Sequence, residues 1–105
     1  MTTLAIEIEA PEAIDVRVGD DTLSVDLADG RTVAVPLAWF PRLLHGTLAE
    51  RTTWRLSGRG EGIHWSALDE DISVKGLLAG HASQESQSSL DRWLKKRSVA
   101  APGRD

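Results

Sequence analysis

Ile14-Asp-Val-Arg-Val-Gly-Asp-Asp-Thr-Leu-Ser-Val-Asp-Leu-Ala-Asp-Gly-Arg-Thr-Val-Ala-Val35 is the stretch on which the fold turns. Apolar residues recur at every second position. Ile14, Val16 and Val18 oppose Asp15 and Arg17, and Leu23, Val25 and Leu27 oppose Ser24 and Asp26. A period of two is that of a strand with one face buried. Gly19-Asp20-Asp21 separates the first two runs, and Asp29-Gly30 separates the second from Val33 and Val35. Asp-Gly tolerates the positive φ of a tight two-residue hairpin. The stretch therefore predicts a three-stranded antiparallel meander. Upstream, Leu4, Ile6 and Ile8 alternate with Ala5, Glu7 and Glu9, predicting a further strand that Pro11 ends.

Downstream of Pro36 the period changes. Phe40, Leu43 and Leu44 fall at i, i+3 and i+4, and Pro41 is tolerable in a first helical turn, so a two-turn helix is predicted from Trp39 to His45, stopped by Gly46. Thr47-Leu-Ala-Glu50 has the form of a capping box and opens a second short helix ending near Thr53. Trp54 and Leu56, then Ile63 and Trp65, alternate with polar residues on either side of Gly58-Arg-Gly-Glu-Gly62. They predict a second hairpin with those four side chains inward. Leu68-Asp-Glu-Asp-Ile72 is expected to leave the sheet, with Asp71 or Ser73 capping a helix that turns Val74, Leu77 and Leu78 inward and closes at Gly80. His81 to Ser89 reads as a polar linker, and Leu90, Trp93 and Leu94 form an apolar stripe at helical spacing with Arg92, Lys95, Lys96 and Arg97 around it. The sum is an α+β fold: an antiparallel meander and a second hairpin with short flanking helices, plus a C-terminal amphipathic helix. Residues 1–80 form a single domain, and residues 81–105 a linker and helical tail.

A chain of 105 residues has room for one hydrophobic core. The absence of cysteine excludes disulfides, thiolate metal sites and cysteine nucleophiles. The start lacks a basic segment and carries acids among its apolar residues, unlike a signal peptide. No apolar run reaches the roughly 20 residues of a membrane span. A cytoplasmic protein with no membrane association is expected. The net charge of -4 is uneven, with 13 acids and 7 bases in residues 1–80 against 3 acids and 5 bases in residues 81–105. An acidic body repels phosphate, so nucleic acid is not expected to bind the body itself.

Among candidate sites, His64 with the Asp69 to Asp71 acidic turn is the best for an enzyme or metal site, because oxygen ligands and an imidazole suit a divalent cation. The spacing matches no known cation loop, however, and solvated acids with a helix cap account for it as well. His64, Ser66 and Asp69 lie too close in sequence for the linear array of a hydrolase, and no nucleophile elbow is present. Gly58 to Gly62 lacks the lysine and the following helix of a phosphate loop. No catalytic residue and no cofactor are therefore expected. The tail offers a different chemistry: Leu90, Arg92, Trp93, Leu94, Lys95, Lys96 and Arg97 are expected to dock on a protein partner, on the chain's own sheet, on a second copy in a homodimer or, less readily, on nucleic acid.

The run Asp29-Gly-Arg-Thr-Val-Ala-Val-Pro-Leu-Ala-Trp-Phe-Pro-Arg-Leu-Leu-His45, then Glu50-Arg51, Trp54, Gly60-Glu-Gly-Ile-His-Trp65 and Leu68-Asp-Glu-Asp-Ile-Ser-Val-Lys-Gly-Leu-Leu-Ala-Gly80, resembles the bacterial domain of unknown function 2442. The resemblance covers residues 14 to 80 and implies a small α+β fold of strands flanked by short helices. Members often look like the antitoxin half of a toxin and antitoxin pair encoded beside another small domain. It thus implies a non-catalytic module that binds a small protein encoded nearby. Some relatives carry a helix-turn-helix domain after this one; the tail here is too short for it, so direct operator recognition is not expected.

Overall fold

The computed structural model describes residues 10–99, so the strand expected over residues 3–9 lies outside the described residues. The meander is present as β1 (Ala13–Val18), β2 (Thr22–Leu27) and β3 (Thr32–Pro36), antiparallel and in that order. Leu23, Val25 and Leu27 point into the core as their alternation requires. Two details differ from the sequence reading. The β2–β3 loop has three residues rather than two: Gly30 donates to the Leu27 carbonyl and alone takes positive φ, while the Leu27 amide donates to the Arg31 carbonyl. This is a type I turn followed by a glycine bulge. Ile14 does not join Val16 on the inner face, because the register slips between Ala13 and Asp15 and makes Ile14 the extra residue of a bulge. Ala13 takes the buried place and Ile14 is 60% exposed.

The two-turn helix expected from Trp39 to His45 is instead a 3-10 turn over Leu37–Trp39 and a single turn, α1 (Pro41–Leu44). Phe40 breaks it, at φ -127 and ψ 83, since a residue before proline is excluded from helical geometry by the proline ring. Thr47 caps α2 (Leu48–Thr52) with both bonds of the capping box formed. Arg51 of α2 then reaches back to the carbonyls of Leu43 and Leu44 at the end of α1. A cation is favoured there by the helix dipole.

A second sheet consists of β4 (Arg55–Ser57), β5 (Gly62–Trp65) and β6 (Glu70–Ser73), again antiparallel in sequence order. The acidic run does not leave the sheet as expected. Asp69, at φ 52, turns the chain back, and Glu70 to Ser73 pair with β5 as a third strand. Ile63 and Trp65 are fully buried, but Leu56, expected to face inward, is 36% exposed on the three-residue edge strand β4. Trp54 is half-buried against the core. Ser73, not Asp71, caps α3 (Val74–Leu78), which buries Val74 and Leu77 while Leu78 faces out.

One hydrophobic core joins the two sheets with Leu37, Phe40, Leu43, Leu68, Val74 and Leu77. The sheets also meet through their backbones, the Ala13 amide donating to the Gly60 carbonyl at 2.7 Å. A Cβ on Gly60 would lie 2.7 Å from the Ala13 oxygen, and the φ of +97 disfavours any side chain there. The last helix, α4 (Gln87–Val99), is capped by Ser86 and lies against this body.

Candidate functional site

The contact between α4 and the body is organised by Arg42. From α1 its guanidinium donates through Nε and Nη2 to the Glu85 carboxylate, the closest approach being 2.6 Å, and through Nη1 to the Leu68 carbonyl. The same group lies 4.9 Å from the Trp93 ring centre, and Arg97 lies 4.7 Å from it. Arg97 in turn donates through both terminal nitrogens to Glu50, whose carboxylate also accepts from the Thr47 amide in the capping box. Planar guanidinium groups suit this work because they stack on an aromatic ring and grip a carboxylate with two bonds. Glu85 and Glu50 are both held below the usual carboxylate range by their hydrogen bonds to Arg42 and Arg97 respectively.

Residues 81–86 accordingly make fixed contacts: the Ser83 amide donates to the Trp39 carbonyl and Ser89 adds a bond to Glu85. Of the expected tail surface, Leu90 is buried, Trp93, Leu94 and Arg97 are half-buried, and Arg92, Lys95 and Lys96 are exposed. Between α4 and the body runs an open groove of about 460 Å³ lined by Arg42, Asp69, Ser89, Arg92, Trp93 and Lys96. Three of its six residues are cations and one is an indole, on a chain whose net charge is -4.

The residues expected as metal ligands are divided. His64 Nδ1 lies 2.7 Å from Asp71 Oδ1 across the β5–β6 pair, but Asp69 sits in the preceding turn, 86% exposed and 3.8 Å from Arg42. Among the described residues no group of three or more His, Asp or Glu side chains is placed to share an ion. Arg55 stands opposite His64 on the other side, so the outer face of the second sheet carries an Arg-His-Asp row in register.

Glu70 is the carboxylate that the sequence reading grouped with its neighbours and thereby missed. It shares the inward face of β6 with buried Ile72, in register with buried Trp65. Its parity with Ile72 was the available signal. Burial pushes its carboxyl up to about 7, with Arg42 opposing and the charges of Glu85, Asp71 and Asp69 adding to the rise. A carboxyl raised in the folded state contributes stability that is full below its unfolded value of 4.5 and lost as pH rises to about 7. Glu70→Gln is therefore expected to match the wild type at pH 4 and to exceed it at pH 8 by roughly 1 kcal/mol, allowing for solvent screening. Urea unfolding at the two pH values measures this, and equal gaps at both would contradict it.

Fold and surface together define a small α+β domain that has, among the described residues, two antiparallel three-stranded sheets and an appended helix that presents a cationic, aromatic groove. The chain belongs to the family described as "Protein of unknown function (DUF2442)", which matches residues 13–83 and so ends before α4. The crystal structure of a protein of unknown function from Rhodospirillum rubrum ATCC 11170 is similar. It is 30% identical, with a TM-score of 0.63, over 73% of this chain and 95% of that one. No curated protein matches the chain. Among the described residues, no helix is long and apolar enough to cross a membrane.

Proposed function

We propose that this chain is a non-catalytic protein-binding module, the antitoxin half of a toxin and antitoxin pair, and that it grips a small acidic partner through the exposed side of α4. The observation that carries the reading is the groove lined by Arg92, Trp93 and Lys96, beside the ring on which Arg42 and Arg97 stack. Arginine and tryptophan are the side chains that most often dominate the energetics of protein interfaces. Ion pairs to Glu85 and Glu50 hold the helix in place, so little ordering entropy is left to oppose binding. The exposed cations steer an acidic surface toward the groove.

Co-expression with the protein encoded by the adjacent gene is expected to yield a stable complex. Reversing the three exposed cations together, with Arg92→Glu, Lys95→Glu and Lys96→Glu, is expected to weaken it by about tenfold or more. Failure to form any complex with either neighbouring product, or a complex indifferent to the triple reversal, would overturn the proposal. A second reading rests on the His64 and Asp71 pair, which offers an imidazole and a carboxylate to a cation. Calorimetric titration with calcium, manganese and zinc decides it, and flat traces would dismiss it.

A further inference from the structure

A separate groove, of about 320 Å³, lies between β6 with α3 on one side and residues 81–84 on the other. Its floor is apolar, formed by Phe40, Ile72 and Leu77, all buried. Glu70 is the inward carboxylate at this floor. Among the described residues it has no hydrogen-bond partner, and its interactions with neighbouring ionisable groups are through charge alone. The nearby cation, Arg42, is already committed to Glu85 and the Leu68 carbonyl. The other charges acting on Glu70 are Glu85, Asp71 and Asp69, all acidic. The groove thus offers an apolar trough, an unpaired carboxylate and a net negative field. That combination complements a cation carried on a hydrocarbon stem.

We propose that this groove binds a primary ammonium group on a short alkyl stem, a lysine side chain or a free alkylamine, with Glu70 as its counter-ion. The stem lies along Phe40, Ile72 and Leu77. The ammonium carries three donors, and the oxygens of Ser83 and Gln84 at the rim are acceptors for those that Glu70 does not take. The site is independent of the outward face of α4. Binding requires the ionised carboxylate, so affinity rises with pH as Glu70 loses its proton, toward and past about 7. His81 also lies at the rim.

The test is an NMR titration of the full chain with n-butylammonium chloride and, separately, with a blocked peptide containing one lysine. Amide shifts are expected to concentrate in residues 70–73, 76–77 and 81–84, to grow from pH 5 to pH 8, and to fall about tenfold in apparent affinity in Glu70→Gln. That variant removes the charge while keeping the shape, and its thermal melt at pH 8 verifies that it is folded. Binding of butylammonium as tight as that of the peptide identifies a free amine as the ligand class, whereas tighter peptide binding identifies a partner's lysine. No shifts with either probe at pH 8, or shifts unchanged in folded Glu70→Gln, would overturn the proposal.

Discussion

Trp65→Ala is expected to destabilise the protein by about 3–5 kcal/mol, the range for removing a large aromatic side chain from a packed core. Trp65 has no exposed surface and is the largest fully buried side chain in the described core. Its indole Nε1 donates to the Arg51 carbonyl at 2.9 Å, tying the second sheet to α2. Alanine leaves both a cavity and an unanswered carbonyl. Because small domains are stable by only about 5–15 kcal/mol, urea unfolding is expected to show the midpoint falling sharply. Trp65→Phe keeps most of the volume and loses the donor, so a smaller loss of about 1–2 kcal/mol is expected. If Phe and Ala were equally damaging, the hydrogen bond rather than the packing would be the dominant contribution, contrary to this account.

The second large effect is expected at Arg42. Its side chain is 15% exposed and that of Glu85 is 13% exposed, so Arg42→Ala strands a nearly buried carboxylate. The Leu68 carbonyl loses its donor and Trp93 loses one stacked cation at the same stroke. Breaking one side of such a pair costs roughly 2–3 kcal/mol where some solvent still reaches it. The loss is expected to be local: amide exchange should accelerate through residues 83–98 while the meander stays protected. Arg42→Lys is expected to recover only part of it, since a lysine ammonium cannot make two parallel bonds to Glu85 and also reach Leu68. Uniform acceleration across both sheets would show that α4 is part of one cooperative unit rather than a separately released element.

The meander was legible because its signal is local. Leu23, Val25 and Leu27 alternate without interruption, and burying one face of a strand demands that pattern whatever surrounds it. The capping box at Thr47 and the cap at Ser73 were legible for the same reason, each being a contact between residues three apart. Ile14 departs from the alternation because a bulge shifts parity by one residue, next to the point where Ala13 meets Gly60 in the loop between β4 and β5. Three consecutive acids suggest solvent and so hide the third strand of the second sheet, although of the three only Glu70 faces inward.

Sites divide along the same line. The cations of α4 could be named from their spacing, but which of them face outward depended on where the helix came to rest. Arg42 and Glu85 are separated by 43 residues and carry no linear sign of one another. Local periodicity and capping chemistry determined the α+β class, the meander and the starts of α2 and α3, because those depend on residues within one or two turns, whereas α1 starts at Pro41 rather than Trp39 and α4 at Gln87, inside the expected linker. Only the tertiary structure decided that Trp93 stacks with Arg42 and Arg97, that His64 meets Asp71 without Asp69, and that Glu70 lines a groove with no hydrogen-bond partner among the described residues. Each of those outcomes is set by distance and desolvation between elements remote in sequence, and a one-dimensional pattern carries neither.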